Sequence, residues 1–171
     1  LATALGVTRN ALYHYFDDLE DLLFQVYQRS CDLMARHLTD ALQDRGSALD
    51  IVGRFVDRCL DPDLPELAAL NEYGLLRESN YEMLLSLYDD IISRLARILD
   101  AGARSGELRP CHSPTAARTI VSLIHWFPLP GGWITTIRGG RGDLVATLKE
   151  LLAVGWAARA TLHAGASDMR G

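Results

Sequence analysis

Three observations predict an all-α fold. Apolar residues recur at spacings of three and four in run after run. Each run opens at a capping residue and closes at glycine or proline, and no alternating stretch is long enough to build a sheet. The only strand-like stretch, residues 133–137, is short. With 49% hydrophobic content over 171 residues the chain can bury a sizeable core, and one domain plus part of another is the natural count.

The first element is residues 1–16, LATALGVTRNALYHYF, which read as two short helices. Gly6 sits where the alanine-rich helix must turn, because glycine reaches the left-handed conformation without penalty, and Thr8 follows as the N-cap of the next helix. At about 100° per residue, Arg9, Asn10, Tyr13 and His14 share one half of that second helix, while Ala11, Leu12, Tyr15 and Phe16 share the other. One half packs; the other carries a guanidinium, an amide, a phenol and an imidazole.

A long helix follows. Asp17 and Asp18 before Glu20 and Asp21 make an acidic start that suits the positive end of the macrodipole. The stripe Leu19, Leu22, Leu23, Val26, Ser30, Leu33, Met34, Leu38, Ala41 and Leu42 is expected to face inward until Gly46. Residues 47–60 form the next helix, with Ile51, Val52, Phe55, Val56 and Cys59 inward. Pro62 and Pro65 then interrupt the chain. Residues 66–79 read as helical despite Gly74. Asn80 reads as the cap of a longer helix through Leu84, Tyr88, Ile91, Leu95 and Leu99 that ends between Gly102 and Gly106. After the GELRP turn at 106–110, Ser113 or Thr115 starts a helix through Ile120 and Ile124 that Pro128 and Pro130 stop. Asp143 opens the last helix.

Residues 1–22 resemble the helix-turn-helix signature of TetR-type transcriptional regulators, in the order Ala-x-x-x-Gly-Val-Thr, Ala-Leu-Tyr-His-Tyr-Phe, Asp-Leu-Glu-Asp-Leu. The resemblance implies a partial helix-turn-helix domain over 1–24 and a helical ligand-binding and dimerisation domain over 25–171. It also implies a further helix and a basic arm ahead of residue 1. Leu19 departs from the pattern, since the family usually places there a lysine that helps to hold a phosphate. The polar half of the second helix has the chemistry that reads base edges and grips phosphates in a major groove. Arg9 and Asn10 are the candidates for base contacts; Thr8, Tyr13 and His14 are the candidates for phosphate contacts.

The formal net charge of −5 has the wrong sign for a protein whose whole surface binds nucleic acid. Its distribution matters more. Residues 1–16 hold Arg9 and no acid, whereas 17–45 hold seven Asp or Glu against three arginines. Cys31, Cys59 and Cys111 are odd in number and in no CxxC spacing, which argues against a disulfide scaffold or zinc ribbon and for a reducing cytoplasm. No signal peptide is visible, and the most apolar region, residues 119–137, is broken by prolines and glycines short of a membrane span, so a soluble protein is expected.

The last two helices are apolar on more than one face, as helices buried on two sides must be. Ile120, Ile124, Leu148, Leu152 and Trp156 are therefore expected at a homodimer interface. A two-fold dimer would meet a near-palindromic operator on double-stranded DNA with half-sites about 34 to 36 Å apart. Phe55, Cys59, Tyr73, Tyr88 and Trp126 are the candidates to line an apolar pocket for a small-molecule effector, although core packing explains the same residues. Trp133 belongs to the same inventory; His125 beside Trp126 invites a ligand role, but a lone histidine in an apolar helix is more often a satisfied core or interface residue. No catalytic residues, cofactors or metal ligands are expected: no Glu-x-x-His pair, no zinc spacing and no nucleophile motif occurs, and the Gly139 to Gly142 run lacks the lysine of a phosphate loop. The expected function is a ligand-responsive, DNA-binding regulator acting as a repressor. The alternative is a helical ligand-binding or protein-interaction module that keeps a degenerate helix-turn-helix.

Overall fold

The structure, a computed structural model, describes residues 18–61, 63, 67, 73–126 and 140–156, without the side chains of 126, 141, 144 and 156. Five helices occur among the described residues: α1 Leu19–Gln43, α2 Ala48–Leu60, α3 Glu78–Arg104, α4 Ser113–Trp126 and α5 Gly140–Trp156. A 3₁₀ turn at Tyr73–Leu75 precedes α3. The fold class is all-α, with no strand among the described residues. Residues 1–17, and with them Thr8, Arg9, Asn10, Tyr13 and His14, lie outside the described residues, as does the strand-like stretch at 133–137.

Helix α1 starts where its acidic residues demand. Asp18 is extended and its Oδ1 accepts the N–H of Asp21 at 2.8 Å. The buried stripe is Tyr27, Ser30, Cys31, Met34, His37, Leu38 and Ala41. This corrects the phase expected from the sequence: Leu19, Val26 and Leu42 are 60%, 40% and 44% exposed. Near the helix ends two adjacent stripes satisfy the spacing of three and four, and counting only aliphatic side chains selects the wrong one. Tyr27, Cys31 and His37 complete the inward stripe although none is aliphatic.

Helix α2 opens with a capping box in which Ser47 Oγ accepts the N–H of Asp50 at 3.1 Å and Asp50 Oδ2 accepts the N–H of Ser47 at 2.9 Å. Arg54 reaches back from α2 to the end of α1, donating to the carbonyl of Ala41 at 3.0 Å and to that of Asp44 at 2.9 Å. The last carbonyls of a helix have no partner inside it, and α1 carries no basic residue in its last turn. Arg54 supplies that missing charge from the neighbouring helix.

The helix expected over residues 66–79 is not formed among the residues described there. Leu67 is coil, and only Tyr73–Leu75 turns, closed by the Leu76 N–H donating to the Tyr73 carbonyl at 3.1 Å. Gly74 loses more backbone freedom than any other residue would, which weakens a continuous helix by about 1 kcal/mol. Asn80 is not the cap of α3: the cap position is Arg77, whose own side chain makes no capping bond. The partner of this helix start comes from α1.

Helix α3 ends at Gly106, whose φ of +77° is the left-handed conformation that glycine alone takes freely. The N–H groups of Glu107 and Leu108 return to the carbonyl of Gly102 at 3.0 Å each. Gly102 also sets the closeness of α2 and α3, because a Cβ there would stand 2.7 Å from Ala48 Cβ. Helix α5 begins at Gly140, three residues ahead of the expected Asp143.

Helix α3 packs on α1 and α4, while α2 packs on α1, α3 and α5. Phe55, Met34, Leu38, Leu95, Leu99 and Ile120 are fully buried where these elements meet. Each such side chain contributes about 1.5 to 3 kcal/mol. No described helix is long and apolar enough to cross a membrane.

Candidate functional site

Two polar constellations stand out from this apolar body. The first lies inside it, where α1, α3 and α4 meet. Spacing along α1 puts Tyr27 and Cys31 one turn apart on the buried stripe. Tyr88 comes from the middle of α3 and His125 from the end of α4. His125 Nδ1 lies 2.9 Å from the carbonyl oxygen of Val121, one turn back. A carbonyl only accepts, so Nδ1 carries the proton and Nε2 is left as an acceptor. The Tyr88 hydroxyl hydrogen-bonds that nitrogen, with the two rings tilted by 56° and their centroids 5.0 Å apart. The Cys31 thiol lies near enough to the Tyr88 hydroxyl for each to influence the other's protonation.

All three groups are held neutral. Burial lowers the pKa of His125, raises that of Tyr88 well above its ordinary value, and pushes the Cys31 thiol up to about 11. A thiol in that range is not a nucleophile near neutral pH, and Cys59 is raised further by burial alone. The constellation therefore offers donors and acceptors without a reactive charge. That chemistry suits recognition rather than catalysis. No His, Cys, Asp or Glu group among the described residues is arranged to hold a metal ion.

The second constellation joins the first turn of α1 to the first turn of α3. Glu20 Oε1 accepts the backbone N–H of Arg77 at 3.0 Å and the side-chain amide of Asn80 at 2.8 Å. Glu20 Oε2 stands 3.3 Å from Arg77 Nε, close enough for charge attraction but not aligned as a hydrogen bond. Arg77 Nη2 meets Asp18 Oδ2 at 2.6 Å. The carboxyl of Asp18 is held below its ordinary value, chiefly by the N–H of Asp21 and further by Arg77. The end of α1 next to residues 1–17 is thus fastened to the start of α3.

Of the residues expected to line a ligand pocket, Tyr88 belongs to the inner constellation. Phe55 and Cys59 are buried on α2 within the common core. Tyr73 is apart from them: it is 56% exposed and stacks on Tyr81 at 5.9 Å, two turns before Tyr88 on α3. The side chain of Trp126 and all of Trp133 lie outside the described residues.

Of the residues expected at a dimer interface, Ile120, Ile124 and Leu148 are buried by the chain's own helices, Leu152 is half-buried, and the Trp156 side chain lies outside the described residues. Exposed apolar side chains on α5 are instead Leu151 and Val154. Sequence reasoning did not single out Cys31, Glu20 or Arg77 as functional. The i, i+4 pair of Tyr27 and Cys31 was the available signal for the inner constellation, and nothing local announces that of Glu20 with Arg77.

No family model matches this sequence, and no curated protein matches it either. Solved structures do share its fold. The TetR-family transcriptional regulator PfmR from Thermus thermophilus superposes with a TM-score of 0.67 at 20% identity, covering 88% of this chain and 83% of its own. A bacterial regulatory protein in the TetR family from Rhodococcus RHA1 gives 0.66 at 20% identity, covering 88% and 80%. AibR, solved in complex with isovaleryl coenzyme A and operator DNA, gives 0.67 at 16% identity, covering 88% and 83%. The chain therefore has the fold of TetR-family regulators.

Proposed function

We propose that this chain is a TetR-family transcriptional regulator that binds operator DNA and is released from it by a small molecule. The observation that carries the reading is a coincidence of two independent facts. The TetR-like signature occupies residues 1–22, and the fold across most of the chain is one that AibR uses with both an acyl-coenzyme A and operator DNA. Arg9 and Asn10 are proposed to contact base edges, with Thr8, Tyr13 and His14 on phosphates. The domain division is proposed at 24 and 25, within the continuous helix α1.

The proposed effector site surrounds Tyr88 and His125, whose neutral hydrogen-bonding groups sit in apolar surroundings. Phe55 and Cys59 on α2, with Trp126, are the proposed remainder of the lining. An effector that binds better when α3 is displaced would move the start of α3. Through Glu20 and Arg77 that displacement reaches the first turn of α1 and the reading segment ahead of it. A differential affinity of about 1 to 3 kcal/mol would lower operator affinity roughly 5- to 150-fold. A homodimer through α4 and α5, with repression as the output, completes the proposal. Leu151 and Val154 are the exposed apolar side chains available for that contact alongside Leu152 and Trp156.

The experiment is selection of duplexes from random DNA with the full chain, followed by titration of the selected duplex against salt. Affinity should fall steeply with salt as phosphate counterions are released. Arg9→Ala should cost about 1 to 3 kcal/mol and relax one base position. Absence of any duplex preference at low ionic strength would defeat the proposal. It would favour the alternative of a helical binding module with a degenerate reading head, for which Leu19, exposed where the family's lysine stands, is the supporting observation.

A further inference from the structure

At the opposite end of α1 from the reading segment, the last turn of α1, the first turns of α2 and the latter part of α3 enclose an open cleft of about 540 Å³. That volume falls within the range of about 300 to 1,000 Å³ usual for small-molecule sites. Leu42, Ile51 and Ile98 give it an apolar wall, and the exposed Ala101 stands at its edge. Two guanidinium groups stand over that wall. Arg94 is fixed by a 2.7 Å bond to Thr39 Oγ1 and a 4.0 Å approach to Asp90. Arg97 is exposed and makes no hydrogen bond or ion pair among the described residues. The carboxylate in the lining, Glu107, is engaged by the N–H of Leu49 at 3.1 Å. The nearby Arg54 is committed to the carbonyls of α1.

A guanidinium presents five donors in a planar fork that matches a carboxylate. We propose that this cleft binds a small amphipathic carboxylate, its anionic head on Arg97 beside Arg94 and its apolar body along Leu42, Ile51 and Ile98. The site is distinct from the one around Tyr88, which lies nine residues before Arg97 on α3, about 14 Å along its axis. It does not depend on the chain binding DNA.

Decanoate, below its micellar concentration, is the probe. Titrated into the isotope-labelled full chain, it should shift the amide signals of Gly46, Ala101 and Ser105 saturably. Decanol, which lacks the charge, and acetate, which lacks the apolar body, should each bind at least about tenfold more weakly. Arg97→Glu should weaken decanoate about tenfold or more, and Arg97→Lys, which keeps the charge and loses the fork, should weaken it less than Arg97→Glu does. Ala101→Trp, which fills the cleft from an exposed position, should abolish the shifts, while Tyr88→Phe should leave them unchanged. Equal binding of decanol, undiminished binding by Arg97→Glu, shifts confined to the surroundings of Tyr88, or no saturable shift would each overturn the proposal.

Discussion

Glu20 on α1 completes the N-terminus of α3 by accepting the backbone N–H of its cap residue Arg77 at 3.0 Å, a task that a capping box assigns to the helix's own third residue. The arrangement separates two interactions that share the same pair of residues. One is a hydrogen bond to backbone, made by a Glu20 side chain that is 11% exposed. The other is an ion pair with an Arg77 side chain that is 61% exposed.

The two should differ in energy. Glu20→Ala removes the acceptor from the Arg77 N–H and the Asn80 amide together and should cost about 1 to 2 kcal/mol, as loss of a cap does. Arg77→Ala keeps its backbone N–H and loses only its solvent-screened ion pairs with Glu20 and Asp18, so it should cost less. Urea denaturation of both variants checks the order, and an Arg77→Ala loss equal to that of Glu20→Ala would refute it.

Glycine positions give a second contrast, set by close approach rather than by charge. Gly102→Ala places a Cβ 2.7 Å from Ala48 Cβ, which is fixed to its own backbone and cannot swing away. Overpacking of this kind costs about 1 to 3 kcal/mol and outweighs the gain of up to about 1 kcal/mol in helix propensity. Gly53→Ala meets only Lys149 Cε at 3.6 Å, an ordinary contact with the end of a flexible side chain. It should stabilise by about 0.5 to 1 kcal/mol. Opposite shifts of the thermal midpoint are expected, and shifts of one sign would contradict the packing argument.

These positions also mark what could be read from the sequence. Asp18, Ser47 and Gly106 act within a few residues of themselves, so the starts of α1 and α2 and the end of α3 were legible from local chemistry. The start of α3 was not, because its cap arrives from α1 and leaves Asn80 looking like a local one. The phase of α1 was hidden for a related reason: Tyr27, Cys31 and His37 are inward because of what stands on α3 and α2, which no spacing along α1 records. Tyr88 was legible as a candidate, yet its partners Cys31 and His125 meet it only after three helices have packed.

Acid should unfold the protein earlier than its carboxylates alone require. Burial lowers the pKa of both His37 and His125 beneath the ordinary 6.5, against opposing pulls from Asp40 and Asp61 on His37 and from the Val121 carbonyl on His125. In the unfolded chain these imidazoles take up protons at a pH where the folded chain refuses them. Their contribution is therefore complete above about pH 6.5 and is lost as pH falls below it. The urea midpoint should decline from pH 7 toward pH 5, and His37→Gln should flatten that slope. A midpoint independent of pH across this window would count against buried neutral histidines.

Cysteine reactivity tests the inner constellation directly. Cys31 and Cys59 are buried with their thiols raised by burial, the former to about 11, whereas Cys111 is exposed. Thiolate is the reacting form, so an aromatic disulfide reagent near neutral pH should modify Cys111 quickly and leave the other two untouched until the chain unfolds. Tyr88→Phe removes the hydroxyl that hydrogen-bonds His125 and stands near the Cys31 thiol, leaving His125 Nε2 buried without a donor at a cost of about 1 to 3 kcal/mol. Local opening around that gap should then raise the rate at Cys31 more than at Cys59, because the Cys31 thiol is coupled to the tyrosine whereas that of Cys59 is raised by burial alone. Equal acceleration at both would mean that the variant loosens the whole bundle, and the hydrogen-bonded set would have no separate existence.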